Sequence, residues 1–306
     1  MNSILQSLSV CDEIFESLRD VKGGRICGAL YRILEDLRGE GDEKEKGLIG
    51  DDKMKDFVMG FNEEVKMYFN VMDQNDVHET LMLLFDKIGN ESRVKVEKGN
   101  EYRGNESESE SEIRLRRNCE RSWYDCFKND YTILTDIIHG QYVTQIRCGN
   151  CNKIHHNYEV FNIIDVPITS VDLEGCIRNI FKKDKISGWV CDKCKEAKES
   201  EKITLLWRMP NLLFLCIKRF GEDLKKNGAS VSIPDEIDMQ TYLIGNNREI
   251  RYKLISVINH YGSMYNGHYN VMLNGKGLID DDVIYDNMKD VDKKNAYVII
   301  YRLSLS

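Results

Sequence analysis

The sequence predicts an α+β fold. Its first third carries apolar residues at helical spacing, and its remainder divides into short β-type runs bounded by Gly, Asn or Pro. No internal repeat stands out beyond a duplicated Cys-x-x-Cys.

Residues 2–19 predict one helix, because Ile4, Leu5, Leu8, Phe15 and Leu18 fall near one face at 3.6-residue period. Gly23-Gly24 breaks it, and Ile26 to Leu37 is helical again. Gly39 to Lys53, charged and glycine-bearing, predicts a loop. Val77 to Ile88 repeats the amphipathic pattern, with Leu81, Leu84 and Phe85 as core candidates. Residues 90–117 are polar and highly charged, with alternating Glu and Ser over 106–112 and then Arg114, Arg116 and Arg117. This composition predicts a solvated or disordered insertion, either regulatory or an idle loop.

The β-type runs follow: Tyr142–Ile146, Glu159–Val166, Ile203–Leu206, Leu212–Ile217, Lys253–Asn259, Tyr269–Leu273 and Tyr297–Leu303, with a helix over Leu173–Phe181.

Composition narrows the function. A net charge of −8 disfavours a non-specific nucleic-acid binder, which needs a basic face, and suits a basic partner surface instead. No run approaches the roughly 18 consecutive apolar residues of a membrane span. The N-terminus has no basic n-region or cleavage pattern, so no signal peptide is expected and the location is cytoplasmic or nuclear. In a reducing compartment, closely paired cysteines point to metal or catalysis rather than disulfides.

Cys148-Gly-Asn-Cys151 and Cys191-Asp-Lys-Cys194 are two such pairs, about 40 residues apart. Each knuckle presents two thiolates, so the two together close a four-sulfur tetrahedral site for one structural zinc, with no position left open for substrate. Each is expected to follow a strand, Val143–Arg147 and Trp189–Val190, as in a zinc ribbon. His155 and His156 could compete as ligands, and the plainer reading is of ordinary unliganded cysteines.

Of the six histidines, His268 stands in the most suggestive context. Asn274-Gly275 predicts a two-residue type I′ hairpin that carries His268 back opposite position 281, beside Asp280–Asp282. A loop of three or four residues would move the pairing to 282 or 283. A carboxylate on one ring nitrogen fixes the tautomer a His base needs; the plainer reading is a solvated acidic turn.

Taken in order, several segments resemble the ubiquitin-specific proteases and cover nearly the whole chain. These are Gln74-Asn-Asp-Val-His-Glu79, Ile138 to Cys148, Met209 to Phe220 with its Lys-Arg-Phe ending, Tyr252 to Tyr269 with Gly-His-Tyr, and Ala296 to Tyr301. The resemblance implies a papain-like cysteine protease shaped as a hand, in a single catalytic domain over 1–306. Residues 1–135 would be a helical thumb, 136–306 a β-rich palm and fingers, and about 142–206 zinc-ribbon fingers that grip ubiquitin. It implies thiol-dependent hydrolysis after the C-terminal Gly of ubiquitin by a monomer, acting on ubiquitin or ubiquitinated proteins. His268 would be the general base and Asp280 its orienting carboxylate. Asp281 is held in reserve, and Asp286-Asn287 is a weaker alternative. Gly262 and Gly267 would let the substrate's glycine tail approach, with Tyr269 beside them.

The departure is at the start. The family opens with Gly-Asn-Thr-Cys-Tyr-Met-Asn-Ser-x-Leu-Gln, in which Cys is the nucleophile, and this sequence starts at Met1-Asn2-Ser3-Ile4-Leu5-Gln6. Cys11 would lie well into the first helix, and Cys27, Cys119, Cys126, Cys176 and Cys216 lack matching context. The expectation is that these 306 residues are inactive alone, with the true start upstream. The alternative is a non-catalytic ubiquitin-binding pseudoprotease.

Overall fold

In the computed structural model, residues 1–40, 51–67, 70, 73–99, 102–104, 108–221, 223–244, 249–264, 266–281, 283–285 and 295–304 are described. Seven helices precede the sheets among these residues: α1 (Asn2–Ser9), α2 (Asp12–Asp20), α3 (Arg25–Arg38), α4 (Asp51–Val65), α5 (Val77–Ser92), α6 (Glu110–Phe127) and α7 (Thr135–Ile138).

Residues 2–19 are therefore two helices, not one. At the break, Arg38 donates to the Ser9 carbonyl at 2.9 Å and Arg302 to the Val10 carbonyl at 2.8 Å. These bonds satisfy oxygens that a continuous helix would have used. Asp12 and Glu13 fall in the first turn of α2, where the helix dipole favours negative charge. Cys11 thus caps α2 instead of lying deep inside a helix.

α3 starts at Gly24, which offers no side-chain cap, and Glu91 of α5 takes over that role. Its two carboxylate oxygens accept the Ile26 and Cys27 N–H groups, each at 2.8 Å. Gly39 ends α3 at φ 72°, the left-handed closure that glycine adopts at least cost.

α4 is an addition to the expected elements. Phe57, Phe61 and Val65 recur every four residues and are fully buried. The expected loop over 39–53 gives way to helix at Asp51, and 41–50 fall outside the described residues.

The polar 90–117 stretch departs from the expected insertion at its two ends. Residues 90–92 still belong to α5, and α6 starts at Glu110 with a capping box. There Ser109 accepts from the Glu112 N–H, and Glu112 accepts from the Ser109 N–H at 2.7 Å. The Glu-Ser alternation thus ends as a helix start, anchored further on by buried Cys119, Trp123 and Phe127.

The rest of the chain is β1 (Gly140–Arg147), β2 (Ile154–Phe161), β3 (Ile163–Pro167), α8 (Leu173–Ile180), β4 (Asp184–Ile186), β5 (Ser200–Arg208), β6 (Leu212–Lys218), β7 (Glu236–Asp238), β8 (Arg251–Gly262), β9 (Gly267–Leu273), β10 (Gly277–Asp280), β11 (Val283–Tyr285) and β12 (Ala296–Ser304). The expected α+β class holds. One sheet has four strands in the order β2-β1-β5-β4; the other runs β11-β10-β9-β8-β12-β6-β3, with β7 on β8. The run Glu159–Val166 is broken at Asn162, and its halves belong to different sheets. Trp189–Val190 is not a strand; β4 ends at Ile186.

The larger sheet is buried on both faces. Leu212, Phe214 and Cys216 of β6 join the helical core, and Leu213, Leu215 and Ile217 join a second core with α8. Burial on both sides is why this strand reads as a continuous apolar run. Phe85 of α5 meets Phe214 edge-on at 5.3 Å, locking the helices to the sheet.

Candidate active site and metal centre

The β9–β10 hairpin brings His268 to Asp280. Gly277 pairs with Leu273, Leu278 with Met272 and Ile279 with Val271, so the loop has three residues. Lys276 N–H donates to the Leu273 carbonyl at 3.0 Å. Positive φ falls on Gly275 at 80° and not on Asn274, which excludes the expected type I′ turn. Asn274 is instead pinned to β8, its amide N–H on Ile255 O at 3.0 Å and its side chain on Leu254 O at 2.9 Å.

The longer loop shifts the register by one. One residue beyond the Ile279–Val271 pair, Asp280 falls diagonally across from His268 on the same face. Asp280 Oδ1 is hydrogen-bonded to His268 Nε2. This bond assigns the proton to Nε2 and leaves Nδ1 as the basic nitrogen. The side chains are 48% and 34% exposed, so the pair is open to a reacting group. Asp281 offers a carboxylate atom within 4.8 Å of the same cluster. It occupies the turn at φ 50°, with its carbonyl accepting from Asn2 Nδ2 at 2.7 Å. Asp286-Asn287 fall outside the described residues.

α1 and the segment leading into α5 hold this hairpin. Ser3 Oγ donates to Tyr269 O at 3.0 Å, and Ser7 Oγ meets Ser256 Oγ at 2.7 Å, so one face of α1 lies across β9 and β8. Gln74 Oε1 accepts the Gly267 N–H at 3.1 Å. Two residues on, Asp76 caps α5 by accepting from Glu79 N–H at 3.1 Å and also accepts the Tyr297 hydroxyl at 2.7 Å.

The expected tail-binding residues are all near this hairpin, but each is engaged within the protein. Gly262 has φ 95°, and a Cβ there would stand 2.3 Å from Asn266 O. A Cβ on Gly267 would stand 2.2 Å from His260 Nε2. The Tyr269 ring packs on His260 at 4.8 Å and is half-buried. His260, to which the sequence reading assigned no role, is 3% exposed among Phe220, Tyr269 and Tyr297. Burial, helped by Lys226, lowers its pKa to about 4. Its Nδ1 has no partner among the described residues.

None of the ten cysteines stands at the His268–Asp280 pair. Cys11, Cys27, Cys119 and Cys216 are buried, and desolvation raises each thiol well above its ordinary value, the opposite of what a nucleophile needs.

The four expected metal ligands do converge. Cys148, Cys151, Cys191 and Cys194 offer sulfurs within 4.8 Å of one another, with Cys148–Cys194 and Cys151–Cys191 both at 3.7 Å. A tetrahedron with Zn–S of about 2.3 Å has S···S edges of about 3.8 Å, so the donor set fits zinc.

The two knuckles are the same turn. Cys148 N–H donates to Lys153 O at 2.9 Å and Asn152 N–H to Cys148 O at 3.0 Å; Cys191 N–H donates to Glu196 O at 3.1 Å and Lys195 N–H to Cys191 O at 2.9 Å. Asn152 and Lys195 both take left-handed φ, 57° and 61°. Hydrogen bonds from Asn150 and the Glu196 backbone bring the Cys194 thiol down to about 6, towards the thiolate that a metal takes. His155 Nε2 lies 3.4 Å from Cys191 Sγ but turns to Asp192 at 3.3 Å and does not gather with the other three sulfurs, and His156 faces Gln145 at 3.3 Å. Neither histidine displaces a cysteine.

Comparison with known proteins now decides the family. A family profile described as ubiquitin carboxyl-terminal hydrolase matches residues 1–301. The chain belongs to the ubiquitin carboxyl-terminal hydrolase family. This is a family of cysteine-type deubiquitinases.

Ubiquitin carboxyl-terminal hydrolase 4 of Saccharomyces cerevisiae (strain YJM789) is 25% identical over 278 residues, covering 78% of this chain and 30% of the relative. Ubiquitin carboxyl-terminal hydrolase Usp2 of Drosophila melanogaster is 24% identical over 319 residues, covering 98% of this chain and 33% of the relative. The chain therefore spans about a third or less of the curated relatives it matches.

Among solved structures, the SAGA Ubp8/Sgf11/Sus1/Sgf73 DUB module bound to ubiquitin aldehyde matches with TM-score 0.74 at 17% identity, covering 100% of this chain and 67% of that one. The module bound to monoubiquitin matches with TM-score 0.74 at 18% identity, covering 100% and 66%. At these identities the structures establish the shared fold. Among the described residues, no helix is long and apolar enough to cross a membrane.

Proposed function

We propose that this chain is the body of a thiol-dependent deubiquitinase that hydrolyses the bond after the C-terminal Gly of ubiquitin. The observation that carries this reading is the His268–Asp280 pair, exposed and set beside the first turn of α1. His268 Nδ1 takes a proton from a thiol and returns it to the leaving amine, while Asp280 orients the ring and supports the imidazolium. The thiol belongs at the start of α1, where a helix N-terminus and His268 would together depress its pKa. No cysteine of these 306 residues is placed there, so by themselves they bind ubiquitin without cleaving it. Cys148, Cys151, Cys191 and Cys194 hold one structural zinc in the fingers, which shapes the ubiquitin grip and takes no part in the chemistry. Gly262 and Gly267 line the path of ubiquitin's glycine tail, and Tyr269 positions that hairpin from behind. The chain acts as one catalytic domain and as a monomer, in the cytoplasm or nucleus.

The test is to compare the 306 residues with a form extended before Met1 by Gly-Asn-Thr-Cys-Tyr, using a ubiquitin–fluorophore conjugate. The extended form is expected to release fluorophore and the shorter one to bind ubiquitin only. Cleavage by the shorter form would overturn the assignment of the nucleophile. Binding without turnover by the extended form would select the pseudoprotease reading instead.

A further inference from the structure

His78, Asp165 and Cys216 meet at a place that ubiquitin hydrolysis leaves unused. His78 is in the first turn of α5, Asp165 in β3 and Cys216 in β6. The parallel register of β3 and β6 sets Asp165 beside Cys216. Each residue offers one donor atom, and the three atoms lie within 4.8 Å of one another. Burial is graded across the cluster: Cys216 is 3% exposed, His78 is half-buried and Asp165 is at the surface. The cluster thus has a thiol floor and an opening towards solvent. Lys218 engages Asp165 Oδ2 at 3.1 Å, and the carboxylate's other oxygen remains for a further partner. The His78 ring has no hydrogen bond or ion pair among the described residues.

Cys, His and Asp are also the residue types of a thiol hydrolase. Here the thiol sits in the helical core, and burial pushes it away from ionisation, so it has neither the access nor the thiolate a nucleophile requires. Coordination does not need a standing thiolate, because the metal itself displaces the proton.

We propose that His78, Asp165 and Cys216 form a second metal site, separate from the four-cysteine ribbon, for a zinc-like divalent cation. One nitrogen, one oxygen and one sulfur suit a borderline cation such as zinc, whereas magnesium and calcium take oxygen ligands. On binding, the Cys216 S–H bond gives its proton to solvent and a metal–sulfur bond replaces it. With three protein ligands, the fourth position holds water, so this site exchanges its metal more readily than the closed ribbon. A bound ion would tie the first turn of α5 to β3 and β6. That turn follows directly on Gln74 and Asp76, which hold Gly267 and Tyr297. Occupancy would therefore stiffen the support of the β8–β9 hairpin.

The test uses the full chain, reduced and with its ribbon zinc retained, titrated with Co²⁺ while visible absorption and released zinc are followed together. One Co²⁺ per chain is expected to bind without zinc release, giving tetrahedral d–d bands and a thiolate charge-transfer band of one sulfur. His78→Ala and Asp165→Asn are both expected to weaken it at least tenfold, with ribbon zinc and the thermal midpoint unchanged. Cys216→Ser is expected to remove the charge-transfer band. Because Cys216 is in the core, the two outer variants decide the outcome if that third one fails to fold. No Co²⁺ beyond what displaces zinc, or binding unaffected by His78→Ala and Asp165→Asn, would overturn the proposal.

Discussion

Asn2 donates its side-chain amide to the carbonyl oxygen of Asp281 at 2.7 Å, joining the first turn of α1 to the turn after β10. Asp281 is thus tied to the helix through its backbone, and Asp280 to His268 through its side chain. The two neighbouring carboxylates should therefore differ in their effect on activity. In the extended form, Asp280→Asn is expected to lower kcat/KM by about 10²–10⁴-fold, the scale for losing the orienter of a His base. Asp281→Asn leaves the carbonyl in place and is expected to cost less than about tenfold. Steady-state cleavage of a ubiquitin–fluorophore conjugate separates them. An equal loss in both would move the orienting role to Asp281.

The Gly267 backbone is wedged against His260, since an added Cβ would stand 2.2 Å from Nε2. Gly267→Ala is expected to destabilise the fold by about 1–3 kcal/mol, the usual cost of overpacking. Adding His260→Ala should recover part of that loss by opening space. Urea unfolding of the single and double variants measures both effects. Unchanged stability in Gly267→Ala would restrict this glycine to a role in substrate approach.

These pairs also mark where the sequence was readable and where it was not. His268 and Asp280 lie 12 positions apart in one hairpin, so local turn chemistry brings them together even with the loop one residue longer than expected. Gln74 and Gly267 are 193 positions apart, and no periodicity links them. β6 was legible because both its faces are buried, which leaves a long apolar run. α4 was hidden because its apolar signal is narrow, with Phe57, Phe61 and Val65 on one stripe among charged residues. The acidic stretch at 106–112 was misjudged because composition outweighed position; Ser109 and Glu112 form a helix start whatever the polarity around them. The four-cysteine cluster was the most legible feature, since both Cys-x-x-Cys knuckles fold as turns of fixed local shape.

That local shape leads to a prediction about metal removal. One knuckle joins β1 to β2 and the other lies in the loop between β4 and β5 of the same sheet, so a shared ion would cross-link them. One zinc per chain is expected by elemental analysis. Stripping it with a strong chelator, or Cys191→Ala, should lower the thermal midpoint and expose the four-stranded sheet to protease. Isolated loss of stability with ubiquitin binding reduced only in proportion is the expected pattern. An unchanged midpoint after complete zinc removal would contradict a structural role.

His260 sets a pH dependence whose sign can be worked out. Its folded pKa is lowered to about 4 by burial and by the Lys226 charge, against about 6.5 in the unfolded chain. Between these values the unfolded state binds the extra proton, so stability rises with pH across the window. The contribution is fully present above about pH 6.5 and is lost as pH falls from 6.5 towards 4. One proton changes stability by at most about 1.4 kcal/mol per pH unit. Asp76 favours the charged ring and moderates the effect, but desolvation dominates, and Nδ1 has no partner among the described residues to welcome a proton. His260→Phe keeps a ring among Phe220, Tyr269 and Tyr297 and removes the titration. Urea midpoints measured from pH 7 to pH 4 are expected to fall less steeply in this variant, by up to one proton's slope. Parallel curves for the two proteins would mean that His260 is protonated as readily folded as unfolded, and that other groups set the acid limit.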